Sequence, residues 1–307
     1  MKKYRYIIAA FALCAIAACS DDDFNVPTDA VRIDATIGDN SIFTRSNPAS
    51  TTEEEEKKFN ISDRITVTNG DRTANYVLGN NGWTAENQEY LRWHENHMTF
   101  TARYPAGNDV EANMSFTLGN ATANQSDLDK IAAADFMVCR RTESARPDNN
   151  TLSLQMQRMM ARIIVKIEDF KDEFGADAEV ENVTITSPAS IVNVEFNEDN
   201  PSATTEGTAI DITPYMANGT GGTNTTYTAI VVPAAYNDRT VTGKVVTVTC
   251  GNKTMVAKVN LTLAAGHSYT LPLTVGKETI KIGTVTVEEW KGNVDIEGGT
   301  ANETTKQ

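Results

Sequence analysis

Residues 30–37 read Ala-Val-Arg-Ile-Asp-Ala-Thr-Ile, and apolar side chains occupy every second position from Val31 to Ile37. Successive side chains of a β-strand point to opposite faces, so this spacing predicts a strand with one buried and one exposed face. The predicted buried face consists of Val31, Ile33, Ala35 and Ile37. Similar short alternating segments recur along the rest of the chain.

These segments are rich in Thr, Val and Ile and are separated by turn sequences such as Asn69-Gly70-Asp71. Residues 126–134 have the pattern of one short helix. A charged run from Glu168 to Gly175 interrupts the strands, and a second strand series follows it. We therefore predict an all-β chain of two β-sandwich domains in tandem, residues 46–170 with the short helix and residues 171–307.

The N-terminus has the organisation of a secretion signal. Basic residues open the chain, and an apolar run of about 12 residues follows, too short to span a membrane stably. Ala17 and Ala18 directly before Cys19 resemble a lipobox. We predict that residues 1–18 are a lipoprotein signal peptide and that Cys19 carries the acyl chains that hold the protein in outer-membrane lipid.

Three acidic residues, Asp21 to Asp23, follow Ser20. This arrangement resembles the surface-export signal of lipoproteins in some Gram-negative anaerobes. A solvated acidic spacer is the alternative interpretation. We favour export, which predicts a surface-exposed lipoprotein of the cell outer membrane.

Charge and cysteine content narrow the range of partners. The formal net charge is −14, and an acidic surface repels both nucleic acid and anionic lipid headgroups. Outside the leader and Cys19, the cysteines are Cys139 and Cys250. They can form a disulfide in an oxidising compartment, but two separate buried thiols are the favoured interpretation.

A polar, charged segment over residues 46–58 follows the first predicted strand, and Arg45 lies at its edge. Such a composition predicts an exposed loop, where a trypsin-like protease reaches the backbone. The bond between Arg45 and Ser46 is therefore the predicted cleavage site, and residues 19–45 form a lipidated segment that carries a removable strand.

The sequence has no pattern typical of an enzyme or a metal site. His94 and His97 are three residues apart, whereas the helical zinc motif needs two histidines four apart with a glutamate beside the first. No nucleophile elbow and no phosphate-binding glycine loop is present. We predict a protein without catalytic activity, metal or other cofactor.

Several segments in order along the chain resemble the fimbrillin family, the type V pilins of oral and gut anaerobes. They are Thr44-Arg45-Ser46, residues 59–65, Trp83, residues 100–105, residues 159–165, residues 265–271 and residues 287–292. The resemblance implies two transthyretin-like sandwich domains, export as a lipoprotein, cleavage after an arginine by a surface protease, and polymerisation by donor-strand exchange. It also implies other pilin subunits as partners and an adhesion target on a host or another bacterium.

Cleavage after Arg45 would separate the strand of Val31 to Ile37 from the first domain and leave an apolar groove with unpaired backbone groups. A neighbouring subunit's strand with the same period would fill the groove. The C-terminal region offers three candidate pairs, Ile280 with Ile282, Val285 with Val287, and Val294 with Ile296. The short polar tail leaves room for a tip role, with shaft or tip position undecided, and a cleavable Arg45 disfavours an anchor. The alternative function is a monomeric surface lipoprotein that binds glycan or a host protein.

Overall fold

The computed structural model describes residues 26–38, 59–108, 110–111, 113–171, 178–237, 243–251, 253–276, 280–289 and 292–294. The leader, Cys19, Arg45 and Ser46 lie outside these residues. Within them, no helix is long and apolar enough to cross a membrane.

Among the described residues, the first half of the chain forms nine strands and two short α-helices, because period-two segments alternate with tight turns. The strands are β1 (Arg32–Ile37), β2 (Arg64–Thr68), β3 (Thr73–Gly79), β4 (Gly82–Ala85), β5 (Met98–Tyr104), β6 (Asn113–Thr117), β7 (Met137–Glu143), β8 (Thr151–Arg158) and β9 (Ala161–Phe170). The helices are α1 (Asn120–Ala123) and α2 (Leu128–Ala132). The sequence predicted one helix over residues 126–134, and α1 is additional.

The second half of the described chain continues with fourteen strands. They are β10 (Asn182–Ser187), β11 (Ile191–Asn197), β12 (Asn200–Glu206), β13 (Ile210–Ile212), β14 (Tyr215–Asn218), β15 (Thr226–Val231), β16 (Ala235–Tyr236), β17 (Lys244–Cys250), β18 (Lys253–Lys258), β19 (Leu261–Thr262), β20 (His267–Val275), β21 (Ile280–Ile282), β22 (Thr286–Glu289) and β23 (Gly292–Val294). The chain is therefore all-β with minor helical content, as predicted.

The first sheet has seven strands in the order β1-β8-β7-β5-β2-β3-β4. Its strand pairs are antiparallel except for β1 and β8, which run parallel. The buried face of the sheet encloses one hydrophobic cluster, which includes Tyr76, Phe100, Leu152 and Cys139. This cluster is the core against which β1 packs.

A second, larger cluster is shared by two further sheets. One has the order β13-β10-β17-β18, and the other has the order β14-β15-β9-β20-β22-β23 with β21 also paired to β20. Ile185 and Val246 from the four-stranded sheet and Ile163 and Leu271 from the other are fully buried in it. Two sheets that share one apolar interior form a β-sandwich.

The first half of the chain contributes to this second core. Strand β9 pairs with β15 and β20, and β6 pairs with β11 in a three-stranded sheet with β12. Helix residues Ala123 and Ile131 also belong to the larger cluster. The predicted division at residue 170 therefore falls at the end of a strand that packs with the second core.

Cys139 and Cys250 are free thiols in different clusters. Burial raises the pKa of the Cys139 thiol to about 12, so it stays protonated at neutral pH. The Cys250 thiol donates to the Glu179 carbonyl oxygen. The two side chains behave as small apolar residues of separate cores.

Candidate functional site: the β1 groove

Strand β1 lies at one edge of the first sheet, in a position that we call the β1 groove. It pairs in parallel with β8 from Arg32 opposite Thr151 to Ile37 opposite Met156. Backbone hydrogen bonds extend this ladder at both ends, from the Arg32 amide to the Asn150 carbonyl at 3.0 Å and from the Gly38 amide to the Met156 carbonyl at 2.9 Å. Among the described strands, β1 is the only one that pairs with this side of β8.

The other wall of the groove is the segment Leu91–Trp93, which follows β4. The Val31 amide donates to the Leu91 carbonyl at 2.9 Å, and the Trp93 amide donates to the Asp29 carbonyl at 2.8 Å. The N-terminal end of β1 therefore bridges the two ends of the sheet. The first sheet is rolled, and β1 closes the roll.

The inward face of β1 is the one predicted from the spacing of its apolar residues. Val31, Ile33, Ala35 and Ile37 are at most 6% exposed and belong to the first hydrophobic cluster. Of the alternate residues, Arg32 and Asp34 are exposed and Thr36 is half-buried. Both the strand and its buried face are confirmed, whereas its removal remains a prediction.

Two buried side chains tie the walls of the β1 groove together, and one of them also contacts the backbone at the start of β1. The Tyr76 hydroxyl donates to the Val31 carbonyl at 3.1 Å and accepts from the Leu91 amide at 3.2 Å, so one hydroxyl joins β1 to the opposite wall. Burial raises the pKa of Tyr76 and keeps the hydroxyl protonated. The Trp93 indole donates to the Asn150 carbonyl at 3.0 Å. Neither side chain can be assigned to this role from the sequence, because both contacts join distant segments.

Polar contacts surround the entry of the chain into the groove. The Thr28 carbonyl accepts from the Arg146 guanidinium at 2.7 Å and from the Asn150 side-chain amide at 2.8 Å. Asp29 forms an ion pair with Arg92, whose hydrogen bond holds the pKa of the Asp29 carboxyl below its usual value. These groups are partly exposed, so we expect each contact to add little stability.

The candidate donor residues of the C-terminal region lie in the second core. Ile280 and Ile282 are in β21, Val285 precedes β22, and Val287 is within it; all are at most 8% exposed. Strands β21 and β22 pair with successive parts of β20, with the Gly283 amide donating to the Pro272 carbonyl between them. Together they form one interrupted strand along β20, and β22 is paired on its other side with β23.

The histidines that invited a zinc interpretation lie in different settings. His94 and His97 are exposed in the turn before β5, and His267 begins β20. The described part of the chain contains no group of three or more His, Cys, Asp or Glu side chains placed to hold a metal ion.

Comparison with known proteins agrees with this architecture. A candidate cell adhesion protein from Bacteroides uniformis superposes with a TM-score of 0.56 at 18% identity over 86% of this chain and 99% of its own. A second one, from Bacteroides ovatus, gives a TM-score of 0.55 at 17% identity over 85% and 97% of the two chains. No curated protein sequence matches. Residues 35–290 match the sequence profile described as Fimbrillin-like, and the chain therefore belongs to the Fimbrillin-like family.

Proposed function

We propose that this protein is a structural subunit of a cell-surface fimbria that supports adhesion. In this proposal Cys19 is lipidated for delivery to the outer membrane, a surface protease cuts between Arg45 and Ser46, and subunits polymerise by donor-strand exchange in the β1 groove. The observation that carries the proposal is the position of β1: an edge strand that completes a core and whose continuation along the chain is the 39–58 connection.

The energetics of the groove support exchange over simple loss of the strand. Full burial of a Val or Ile side chain contributes about 1.5–3 kcal/mol, so Val31, Ile33 and Ile37 together contribute on the order of 5–9 kcal/mol. That is comparable with the whole stability of a typical domain, about 5–15 kcal/mol. A first domain with an empty groove would therefore be marginal, and an incoming strand would restore both the apolar contacts and the β8 ladder.

The incoming strand must present an apolar residue at every second position and run along β8. Ile280 with Ile282 and Val285 with Val287 each have this spacing, although residues 282 and 285 are three positions apart. Donating either pair requires β21 or β22 to leave β20. Val294 and the following Ile296 offer the same period closer to the C-terminus. Donation from the later pair would leave the edge of β20 covered by β21 and β22.

The cleavage step is tested by exchanging Arg45 for Lys, which keeps the charge but removes the site of an arginine-specific protease. We expect wild-type surface material to give heat-resistant oligomers on gels after proteolysis, and the Arg45→Lys variant to remain a longer monomer in the membrane fraction. Oligomers of the variant in wild-type amounts would refute the cleavage model. A Cys19→Ser variant should lose membrane association irrespective of Arg45.

A monomeric binder remains the second candidate function. It is favoured by a cleft outside the β1 groove, between the turn before β2 and helix α2. Such a protein would stay monomeric after arginine-specific proteolysis, which separates the two candidates in the same gel.

A further inference from the structure

A cleft of about 620 Å³ opens between the turn that precedes β2 and the helix α2. Its volume lies within the range of about 300–1,000 Å³ that is typical of ligand-binding pockets. We call it the Asp63 cleft. It is lined by residues 60–64, Asn75, residues 104–108, Leu128, Asp129, Ala132 and Ala133.

The rim of the Asp63 cleft carries exposed aliphatic side chains from two elements. Ile61 is 57% exposed and Leu128 is 48% exposed, and the only other large apolar side chain this exposed among the described residues is Met216. Two of the three therefore border the same cleft. Exposed apolar side chains grouped at one opening indicate a surface that contacts another molecule.

Asp63 provides a carboxylate in this cleft. Its Oδ1 accepts from the Tyr104 hydroxyl at 3.1 Å, and its Oδ2 accepts from the Asn60 backbone amide. The pKa of Asp63 is raised to about 6, mainly by burial and to a smaller extent by the charges of Asp135 and Asp129, while the hydrogen bonds from Asn60 and Tyr104 oppose the increase. The carboxylate of Asp63 is therefore partly removed from water and lies near other negative charges, so a bound cation would stabilise its ionised form.

The nearby basic side chains are engaged elsewhere. Arg64 forms an ion pair with Glu86, and Arg158 forms one with the buried Asp135. Lys130 on α2 pairs with Asp127. Among the described residues no basic side chain forms an ion pair with Asp63 or Asp129.

Arg103 is the remaining guanidinium close to the cleft. It is 7% exposed, its Nε donates to the Pro105 carbonyl, and its guanidinium lies 5.1 Å from the centre of the Phe136 ring. These contacts hold Arg103 beneath the loop that follows β5. The cleft therefore combines an aliphatic rim with two carboxylates, of Asp63 and Asp129, that no side chain in the described part of the chain neutralises by an ion pair.

We propose that the Asp63 cleft binds a lysine or arginine side chain presented by a partner protein. The aliphatic stem of such a side chain would pack between Ile61 and Leu128, and its charged end would reach Asp63 and Asp129. The net charge of −14 favours approach of a basic surface.

The Asp63 cleft shares no residue with the β1 groove. The folded subunit would present the cleft to a partner whether the subunit is monomeric or assembled. Loss of strand exchange would therefore leave binding in the cleft unchanged, and loss of binding in the cleft would leave strand exchange unchanged.

The test is a titration of the full chain with the capped tripeptides Ac-Gly-Lys-Gly-NH₂, Ac-Gly-Arg-Gly-NH₂ and Ac-Gly-Gln-Gly-NH₂ at pH 7.5, followed by calorimetry or NMR. We expect saturable binding of the two basic peptides, and affinity about tenfold lower for the Gln peptide, as loss of a charged hydrogen bond implies. Asp63→Asn should lower the affinity for the Lys peptide to that of the Gln peptide. Glu195→Gln on β11 removes the same charge outside the cleft and should leave the affinity unchanged.

A second pair of variants tests the rim. Ile61→Ser and Leu128→Ser should each weaken the Lys peptide several-fold while retaining the preference for Lys over Gln. Thermal unfolding checks that every variant is folded. Equal affinity for the Lys and Gln peptides, unchanged affinity in Asp63→Asn, or no saturable binding would overturn the proposal. Spermidine binding as tightly as the peptides would refute a protein partner, because a free amine would then suffice.

Discussion

The hydroxyl of Tyr76 is the most direct test of how β1 is held. Replacing Tyr76 with Phe keeps the ring in the core but removes the group that joins the Val31 carbonyl to the Leu91 amide. Both lost contacts are buried, and each leaves a backbone group without this partner. Each buried polar group that loses its hydrogen bond costs about 1–3 kcal/mol, so the two lost contacts of Tyr76→Phe should destabilise the first domain by about 2–6 kcal/mol.

The matched control is Tyr90→Phe. The rings of Tyr90 and Tyr76 are in edge contact, with their centroids 6.3 Å apart, so Tyr90 lies in the same region. No hydrogen bond of the Tyr90 hydroxyl is present among the described residues, and its removal should cost less than about 0.5 kcal/mol. The comparison isolates the bridge from the general effect of losing a tyrosine hydroxyl.

The assay combines urea unfolding with amide hydrogen exchange. Tyr76→Phe should lower the midpoint of the transition that reports on Trp93 and should accelerate exchange at the Val31 and Leu91 amides. Exchange in β15 or β20 should change less, because these strands pack in the other core. A cost no larger than that of Tyr90→Phe, or unchanged exchange at Val31, would refute the reasoning that this hydroxyl fastens β1.

Three further predictions concern the core, a buried ion pair and pH. Ile33→Ala should cost about 2–5 kcal/mol in urea unfolding because Ile33 is 6% exposed, whereas Asp34→Ala on the outward face should stay within about 0.5 kcal/mol; equal costs would contradict the assigned faces of β1. Arg158→Met should destabilise by about 3–5 kcal/mol, since it leaves the carboxylate of Asp135 buried without its ion pair, and a cost below about 1 kcal/mol would show that this pair is dispensable. The pKa of Asp63 is raised to about 6 from 3.8, so the native state binds a proton more tightly than the unfolded state, and stability is lost as pH rises from about 4 to 6. Asp63→Asn should therefore gain up to about 3 kcal/mol relative to wild type between pH 4 and pH 8, and a gain independent of pH would contradict the raised pKa.

The strand that closes the first sheet could be predicted from its sequence because its signal is local. One buried face and a period of two are enough to identify Val31, Ile33, Ala35 and Ile37 as inward residues. The partners of that strand could not be predicted, since the pairing with β8 joins residues more than one hundred positions apart. Nothing in the local sequence of Tyr76 distinguishes it from any other core tyrosine.

Strand β9 illustrates a second limit. It lies between β15 and β20 in its sheet. The charged run from Glu168 suggested a domain junction. A charged run indicates that a strand ends, but it does not indicate which sheet the strand belongs to, and β9 pairs with strands of the second half of the chain. The Asp63 cleft could not be predicted from the sequence either. Its walls come from separate segments, Tyr104 at the end of β5 and residues of α2, which only the fold brings close to Asp63.

The proposed strand exchange makes a direct prediction about what lies beside β8. Ser153 is an exposed residue of β8 and lies opposite Asp34 in the parallel ladder, so a photo-crosslinking amino acid at position 153 reports which strand occupies the β1 groove. In uncleaved protein we predict crosslinks to residues 32–37 of the same chain. In oligomers formed after cleavage at Arg45, we predict crosslinks to the C-terminal region of another subunit, mapped by mass spectrometry. Oligomers whose position 153 still crosslinks to residues 32–37 of its own chain would contradict the account.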